Sequence, residues 1–281
     1  MSHCRLAACL ALLLVPAAAG AVPVVPPLFP GVRSVLWIGA HPDDEIYVSP
    51  LLGRLCLEEH LKCSLLVLTR GEHGHCLLPG GCKPDLATVR SAEMAQAARL
   101  LGAQLTFWSL PDGGGAADAS APGWDVAAGG HEALVARLAA QVSAIRADLV
   151  ITFDPRHGTT CHPDHRAAGA LTVEALPRIG KRPVLYFLET RREEHDPPFV
   201  LLFLAAASAH AGVFAFDANT ILSATGQPAW QMLIRDVQTH RSQFDSRIQQ
   251  AVRAVVPAGR AVFLGPADLL LPATTVWSCP P

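Results

Sequence analysis

Ser34-Val35-Leu36-Trp37-Ile38-Gly39-Ala40-His41-Pro42-Asp43-Asp44-Glu45 is the stretch from which the fold can be read. The uncharged run from Ser34 to Gly39 has the length and character of a fully buried strand. It then turns at once into a histidine, a proline and three acids. Open α/β sheets bind ligands beyond the carboxyl ends of their strands, so a strand that ends this way points to a sheet of that kind. The same alternation extends outward. Pro50 to Leu61 has helical spacing, and Ser64 to Thr69 reads as a second strand. Leu86 to Leu101 reads as a helix closed by Gly102, and Leu105 to Leu110 as a third strand. Gly130 to Ala147 carries Leu134, Leu138 and Val142 on one helical stripe. Asp148 to Phe153 is a fourth strand, Ala167 to Leu176 a helix, and Val184 to Leu188 a fifth strand. The predicted class is α/β, a mostly parallel sheet with helices on both faces. Gly113 to Gly123 reads as a loop, Phe199 to Phe216 as two buried strands with a short connection, and Gln231 to Gln250 as one long helix.

A second short segment, His162-Pro163-Asp164-His165, follows the fourth strand as the first motif follows the first. A catalytic zinc commonly takes three protein ligands and keeps one position for water, and His and Asp are suitable ligands. Neighbouring residues at a strand end point in different directions, so Asp43 and Asp44 can divide metal binding from proton transfer. A helix beginning at Pro163 would let the histidine before it and the one in its first turn face one pocket. Amide hydrolysis needs an activated water, a base, an oxyanion stabiliser and an acid for the leaving amine, and the two motifs can supply all four.

Composition narrows the partners. Apolar residues make up 51% of the 281 and charged residues 16%, with a formal net charge of −2. That is a chain with a sizeable core and no basic stripe for nucleic acid or for an anionic membrane surface. The expected partner is a small molecule or a glycan.

The amino terminus reads as a secretory signal peptide over residues 1–21: Arg5, an apolar run from Leu6 to Val15, then small residues suited to cleavage. A Pro-rich linker or strap over 22–31 and one catalytic domain over 32–281 complete the expected organisation, with no stable membrane span once the signal is cleaved. The expected location is secreted or periplasmic. Cys56, Cys63, Cys76, Cys82, Cys161 and Cys279 remain after the signal, an even set in an exported chain and so a disulfide set whose connectivity is open. Cys76 and Cys82 bracket a short loop and make a plausible pair.

The paired motifs Ala40-His41-Pro42-Asp43-Asp44-Glu45 and His162-Pro163-Asp164-His165 resemble those of the LmbE-like (PIG-L) zinc de-N-acetylases. The resemblance continues through Leu68-Thr69-Arg70-Gly71-Glu72, Arg90 and Glu93, Leu110-Pro111-Asp112-Gly113, and His240-Arg241-Ser242-Gln243. It implies a Rossmann-like sheet and removal of an acetyl group from an N-acetylglucosamine-containing sugar or glycoconjugate. It further implies one zinc ion, or another divalent metal, on His41, Asp44 and His165. Asp43 would be the general base, and His162 the imidazolium that steadies the oxyanion and protonates the leaving amine. Asp164 would orient His162 and raise its pKa. Arg90 and Glu72 would lie on the substrate side or just behind the site, Glu45 and Glu93 would be structural, and His240 would line the pocket or support it. Where relatives carry an aromatic residue before the second motif this chain has Arg156-His157-Gly158-Thr159-Thr160-Cys161, so His157 or Thr160 would have to compensate. Two other classes compete: a phosphoesterase on the same scaffold, which would call for two bridged metals, and a carbohydrate-binding protein without turnover, which would need neither base nor acid.

Overall fold

The structure, a computed structural model, describes residues 26–114, 120–189, 214–256 and 261–266. Its centre is β1 (Ser34–Gly39), whose Val35, Leu36, Trp37 and Ile38 are all fully buried. Successive strand side chains point to opposite faces, and here both faces are covered. Val35 and Trp37 join one core, and Leu36 and Ile38 the other. That is why the run is continuously apolar instead of alternating.

β2 (Lys62–Thr69), β3 (Gln104–Leu110), β4 (Leu149–Phe153) and β5 (Val184–Glu189) complete the parallel part of the sheet. β6 (Phe214–Asp217) and β9 (Ala261–Pro266) extend it, with β9 antiparallel to both β5 and β6. The order is β3-β2-β1-β4-β5-β9-β6. Two short strands, β7 (Ile221–Leu222) and β8 (Gln227–Pro228), form a separate hairpin. The chain runs from β1 outward to β2 and β3, then returns to lay β4 on the other side of β1, with Val35 opposite both Cys63 and Leu149. The reversal makes the carboxyl ends of β1 and β4 a topological switch point.

One face is covered by α1 (Ser49–Leu52), α2 (Leu86–Leu100) and α6 (Trp230–Thr239), through Leu51, Leu52, Met94 and Met232. The other is covered by α3 (Ser120–Ala128), α4 (His131–Ile145) and α5 (Pro163–Ala175), through Trp124, Leu134, Leu138, Val142 and Leu171. The Leu134, Leu138, Val142 stripe lies on the sheet as its spacing predicts. A last helix, α7 (Ser246–Val255), packs its Val252 with Leu233 and Val237 of α6 in a smaller cluster.

Three details differ from the sequence reading. The helical block from Pro50 divides into α1 and a π-helical turn, Gly53–Glu58, and stops short of Leu61. Gly53 sits where α6 comes close, and a Cβ there would lie 2.7 Å from Met232 Cγ. The expected loop 113–123 already turns helical at Ser120. The expected single helix 231–250 is two helices, α6 and α7, separated by His240–Asp245. Of the expected strands in 199–216 only Phe214 onward falls among the described residues, as part of β6.

The strap before β1 is tied down where it is described: Leu28 N–H donates to Glu59 Oε1 at 3.0 Å, and Leu28 and Phe29 pack against the core. The signal-peptide segment lies outside the described residues. Disulfides join Cys56 to Cys63 and Cys76 to Cys82, the second being the expected loop pair, and Cys161 is also disulfide-bonded. Among the described residues no helix is long and apolar enough to cross a membrane.

Candidate metal centre and its surroundings

Every group at the centre hangs from the carboxyl end of a parallel strand. His41 follows β1 by two residues, and Asp44 opens a 3-10 turn, Asp44–Tyr47. Asp112 follows β3 by two residues. His162 caps the amino end of α5 and His165 lies in its first turn. Pro163 at the first helical position needs no N–H partner, so it starts the helix at no hydrogen-bonding cost.

His41 Nδ1, Asp44 Oδ1 and His165 Nε2 form a triangle with edges of 3.0 Å (Asp44–His165), 3.3 Å (His41–His165) and 3.8 Å (His41–Asp44). Bonds of about 2.0–2.1 Å in tetrahedral geometry separate ligands by about 3.3–3.4 Å, so the three donors fit one zinc-sized ion. Each of these donors is also held from outside. Asp44 Oδ2 accepts from the Ala40 and His41 amides, both at 2.7 Å. His165 Nδ1 faces Gly158 O at 2.9 Å and Thr160 Oγ1 at 3.1 Å, and its ring stacks on Phe153 at 4.0 Å. His41 Nε2 faces Asp164 Oδ2 at 3.1 Å and Asp112 Oδ1 at 3.3 Å. Such outer partners fix the tautomer and aim of a ligating histidine.

The electrostatics suit a cation. Burial opposes charge on His41, but Asp112, Asp164 and Asp44 outweigh it and hold its pKa well above the ordinary value. Burial likewise opposes charge on Asp44, but His165 and His41 hold it well below the carboxylate range. Asp112 is also depressed, its burial outweighed by His41 and by the amides of Gly114 and His73. The carboxylates around His41 thus favour a proton on that imidazole, which a metal ion would displace.

Asp43 stands beside this triangle in a left-handed conformation, φ 104°. Its Oδ1 accepts from Arg90 Nη2 at 3.0 Å and its amide donates to Glu45 Oε2 at 3.2 Å. Burial pushes the Asp43 carboxyl up and the Arg90 guanidinium pulls part of that back. Arg90 was expected on the substrate side or just behind the site. It is buried on α2, with Nη1 donating to Gly71 O at 3.0 Å and Nη2 also to Pro42 O, so it braces the Asp43 turn. Gly71, at φ 64°, is required there, since a Cβ would overlap the guanidinium. Glu72, for which the same two positions were expected, accepts the Asp112 amide on Oε1 at 3.0 Å and so shapes the loop after β3.

His162 lies with its ring 4.6 Å from that of His41 and 5.0 Å from that of His165. Its Nδ1 accepts the Asp164 amide at 3.2 Å, so the neutral ring carries its proton on Nε2. Asp164 was expected to raise this histidine. Its field does act in that direction, but burial, His41 and His165 outweigh it and bring His162 down to about 4. This environment favours the neutral imidazole over the imidazolium. The Asp164 carboxylate meets His41 and, through Oδ2, the Gly113 amide at 2.9 Å.

Asp112 is the residue that motif reading left without a role. It was visible as part of Leu110-Pro111-Asp112-Gly113 at the end of the third strand, the position that made the other two motifs informative. His73 braces it, with its amide on Asp112 Oδ2 at 2.8 Å and Nδ1 on Asp112 O at 2.6 Å. Of the two expected substitutes for the missing aromatic, Thr160 reaches His165, and His157 pairs with Asp154 at 2.6 Å. His240 does not line the pocket: it is fully buried and meets Glu45 Oε1 at 2.6 Å. Burial opposes its charge, but Glu45 pushes it up to about 9. Glu93 accepts both the amide and the hydroxyl of Ser242, at 2.8 and 2.6 Å, a structural role as expected. A cleft of about 580 Å³ at the amino end of the strands, lined by Arg33, Lys62, Arg146 and Lys181, contains none of these groups.

A sheet of this order with a His–Asp–His triangle at its switch point defines an α/β protein with a candidate metal site. Residues 36–176 match the model of the PIG-L family, described as GlcNAc-PI de-N-acetylase. The chain is 35% identical over 162 residues to 1D-myo-inositol 2-acetamido-2-deoxy-alpha-D-glucopyranoside deacetylase of Kineococcus radiotolerans, covering 51% of this chain and 45% of that protein. It is 30% identical over 199 residues to the probable N-acetyl-alpha-D-glucosaminyl L-malate deacetylase 2 of Bacillus anthracis, covering 65% of this chain and 82% of that one. The chain thus spans about half the length of the first of these relatives. N,N'-diacetylchitobiose deacetylase from Pyrococcus horikoshii shares the fold, with TM-score 0.59 at 18% identity over 87% of this chain and 88% of that one. The chain belongs to the PIG-L (LmbE-like) family, as its paired motifs imply.

Proposed function

We propose that this protein is a metal-dependent amidase that removes the acetyl group from an N-acetylglucosamine-containing sugar or glycoconjugate outside the cytoplasm. The observation that carries the reading is the donor triangle of His41, Asp44 and His165, with Asp43 and His162 beside it. A divalent ion held there, zinc by the donor set and spacing, supplies Lewis acidity and lowers the pKa of water. Asp43, raised by burial, takes the proton that water loses as its oxygen bonds to the acyl carbon. His162, its proton on Nε2, donates to the oxygen that gathers charge. The C–N bond then breaks as the nitrogen takes the proton held by Asp43, and free amine and acetic acid, which ionises to acetate, leave while His162 keeps its proton. Arg90 acts on this sequence only by aiming Asp43.

The disulfides Cys56–Cys63 and Cys76–Cys82 support an oxidising compartment, as does the signal-like amino terminus. The test is amine release from N-acetylglucosamine, its oligomers and its inositol glycosides by chelated protein, zinc-restored protein and Asp43→Asn. Activity that returns with zinc and is absent in Asp43→Asn is expected. No amine from any of them with one zinc bound would overturn the reading.

A further inference from the structure

We propose that Glu45 and His240 are positioning residues for Asp43: a buried carboxylate–imidazole couple grips the main chain of the base and fixes where its carboxylate points. The proposal rests on the reading of Asp43 as base.

Asp43 is not a glycine, yet it holds φ 104° and ψ −10°. A non-glycine residue keeps such a conformation only where its surroundings over-determine it, and such positions gather at functional sites. Two clamps are visible. Arg90 holds the side chain through Oδ1. Glu45 holds the main chain, because its Oε2 accepts the Asp43 amide two residues back. Glu45 is fully buried, and a buried carboxylate stays in place as an acceptor only when paired. Its partner is His240, whose Nε2 stands 2.6 Å from Glu45 Oε1, with no exposure on either residue. The pair is a short bond of the charge-assisted kind, stronger and more directional than a neutral one.

His240 is 195 residues from Glu45 in sequence and terminates α6. It also lies outside the segment 36–176 that the family model covers. The chain therefore brings a residue from a distant helix to the back of the motif turn without presenting it to substrate. Asp236, one turn earlier on α6, stands 3.8 Å from His240 Nε2 and completes the buried set. Stability alone is a weak reason to bury such ions, since apolar replacements are often as stable. The link that gives the couple a purpose is the Asp43 amide.

Glu45→Gln and His240→Gln keep an acceptor or a donor in nearly the same volume. They are measured as zinc-loaded full chains for kcat and KM on the best substrate of the series above, together with bound zinc and melting temperature. The expected result is a fall in kcat of tenfold or more, KM within about threefold, and one zinc retained. The double variant should be no worse than the more impaired single one, because the two residues act as a unit. His240→Ala should fall below His240→Gln. A kcat within twofold of wild type in both single variants, or a loss that merely follows lost zinc or lost folded protein, would overturn the proposal. If Glu45→Gln does not fold, His240→Gln decides by the same criteria. Asp43→Asn separates the two levels: if it stays active the base reading fails, and if it is inactive while both Gln variants turn over normally only the positioning role fails.

Discussion

Replacing Arg90 with methionine tests the architecture of the site most severely. The guanidinium is buried and makes three bonds, to Gly71 O, Pro42 O and Asp43 Oδ1. Methionine fills most of the volume and leaves all three acceptors without that donor. Breaking a fully buried ion pair costs about 3–5 kcal/mol. The Asp43 side chain keeps 18% exposure, so water compensates part of the loss and about 3 kcal/mol is the better figure. For a chain of this size that is a fall of about 6–12 °C in melting temperature. Because Arg90 acts through Asp43 and is only 5% exposed, kcat should fall tenfold to a hundredfold while KM changes little. Arg90→Lys keeps a charge for Asp43 but cannot fork to both carbonyls, and should fall between. Melting curves and steady-state amine release on zinc-loaded protein read both effects. A rise in KM at constant kcat would return Arg90 to the substrate side, and a melting point within 2 °C of wild type by differential scanning, roughly the shift for 1 kcal/mol, would show that the buried pair is not formed.

Three further outcomes are expected. His41→Ala or His165→Ala should lose the metal measured by elemental analysis, whereas His162→Ala should keep it and lose turnover by about 10²–10⁴-fold; metal loss in His162→Ala would move that residue into the ligand set. His240 has a folded pKa of about 9 against an ordinary 6.5, so its stabilisation is complete below about pH 6.5 and disappears as pH rises through 9. It should be on the order of 3 kcal/mol, seen by denaturant titration at pH 6 and pH 10 as a pH-dependent gap between wild type and His240→Gln; a gap that does not change with pH would refute this. Gly71→Ala should destabilise by more than 1 kcal/mol, roughly the cost of a Cβ at positive φ alone, because it must also displace Arg90; an unaltered melting point would contradict the placement of that guanidinium.

The parallel strands were legible as uncharged runs, buried on both faces in β1 and β4 and only partly buried in the edge strand β3. Ser34 to Gly39, Leu105 to Leu110 and Val184 to Leu188 need no tertiary information to be seen as uncharged runs between polar turns, and the observed bounds differ by a residue or two at most. Helices with a long apolar stripe, such as α4, were legible for the same reason. What a local pattern could not show was the break at His240–Asp245. The amphipathic period continues across it, with Leu233 and Val237 before and Ile248 and Val252 after packing in one cluster. The helix stops because long-range partners take over the backbone: Ser242 N–H goes to Glu93, and Ser242 O accepts the Leu77 amide at 2.8 Å. One local sign was available, since Asp245 caps α7 by accepting the Ile248 amide at 2.9 Å.

At the site, residue type at a strand end proved informative and orientation did not. His41, Asp44 and His165 converge because β1 and β4 are neighbours in the sheet. Arg90 could be picked out as a charged residue on an alanine-rich helix, but whether it faced substrate or core depended on how α2 packs, which no local pattern encodes. The same holds for Glu45, which a strand-end motif places beside two active-site acids and which the packing of α6 turns inward to His240. The proposed ligands and base thus come from strand ends and are readable, whereas the residues proposed to aim the base depend on how helices pack behind the sheet. The motifs name Arg90, Glu45 and His240 but do not separate an aiming role from an ordinary core position. Their kcat deficits at unchanged KM and zinc content are what would set them apart.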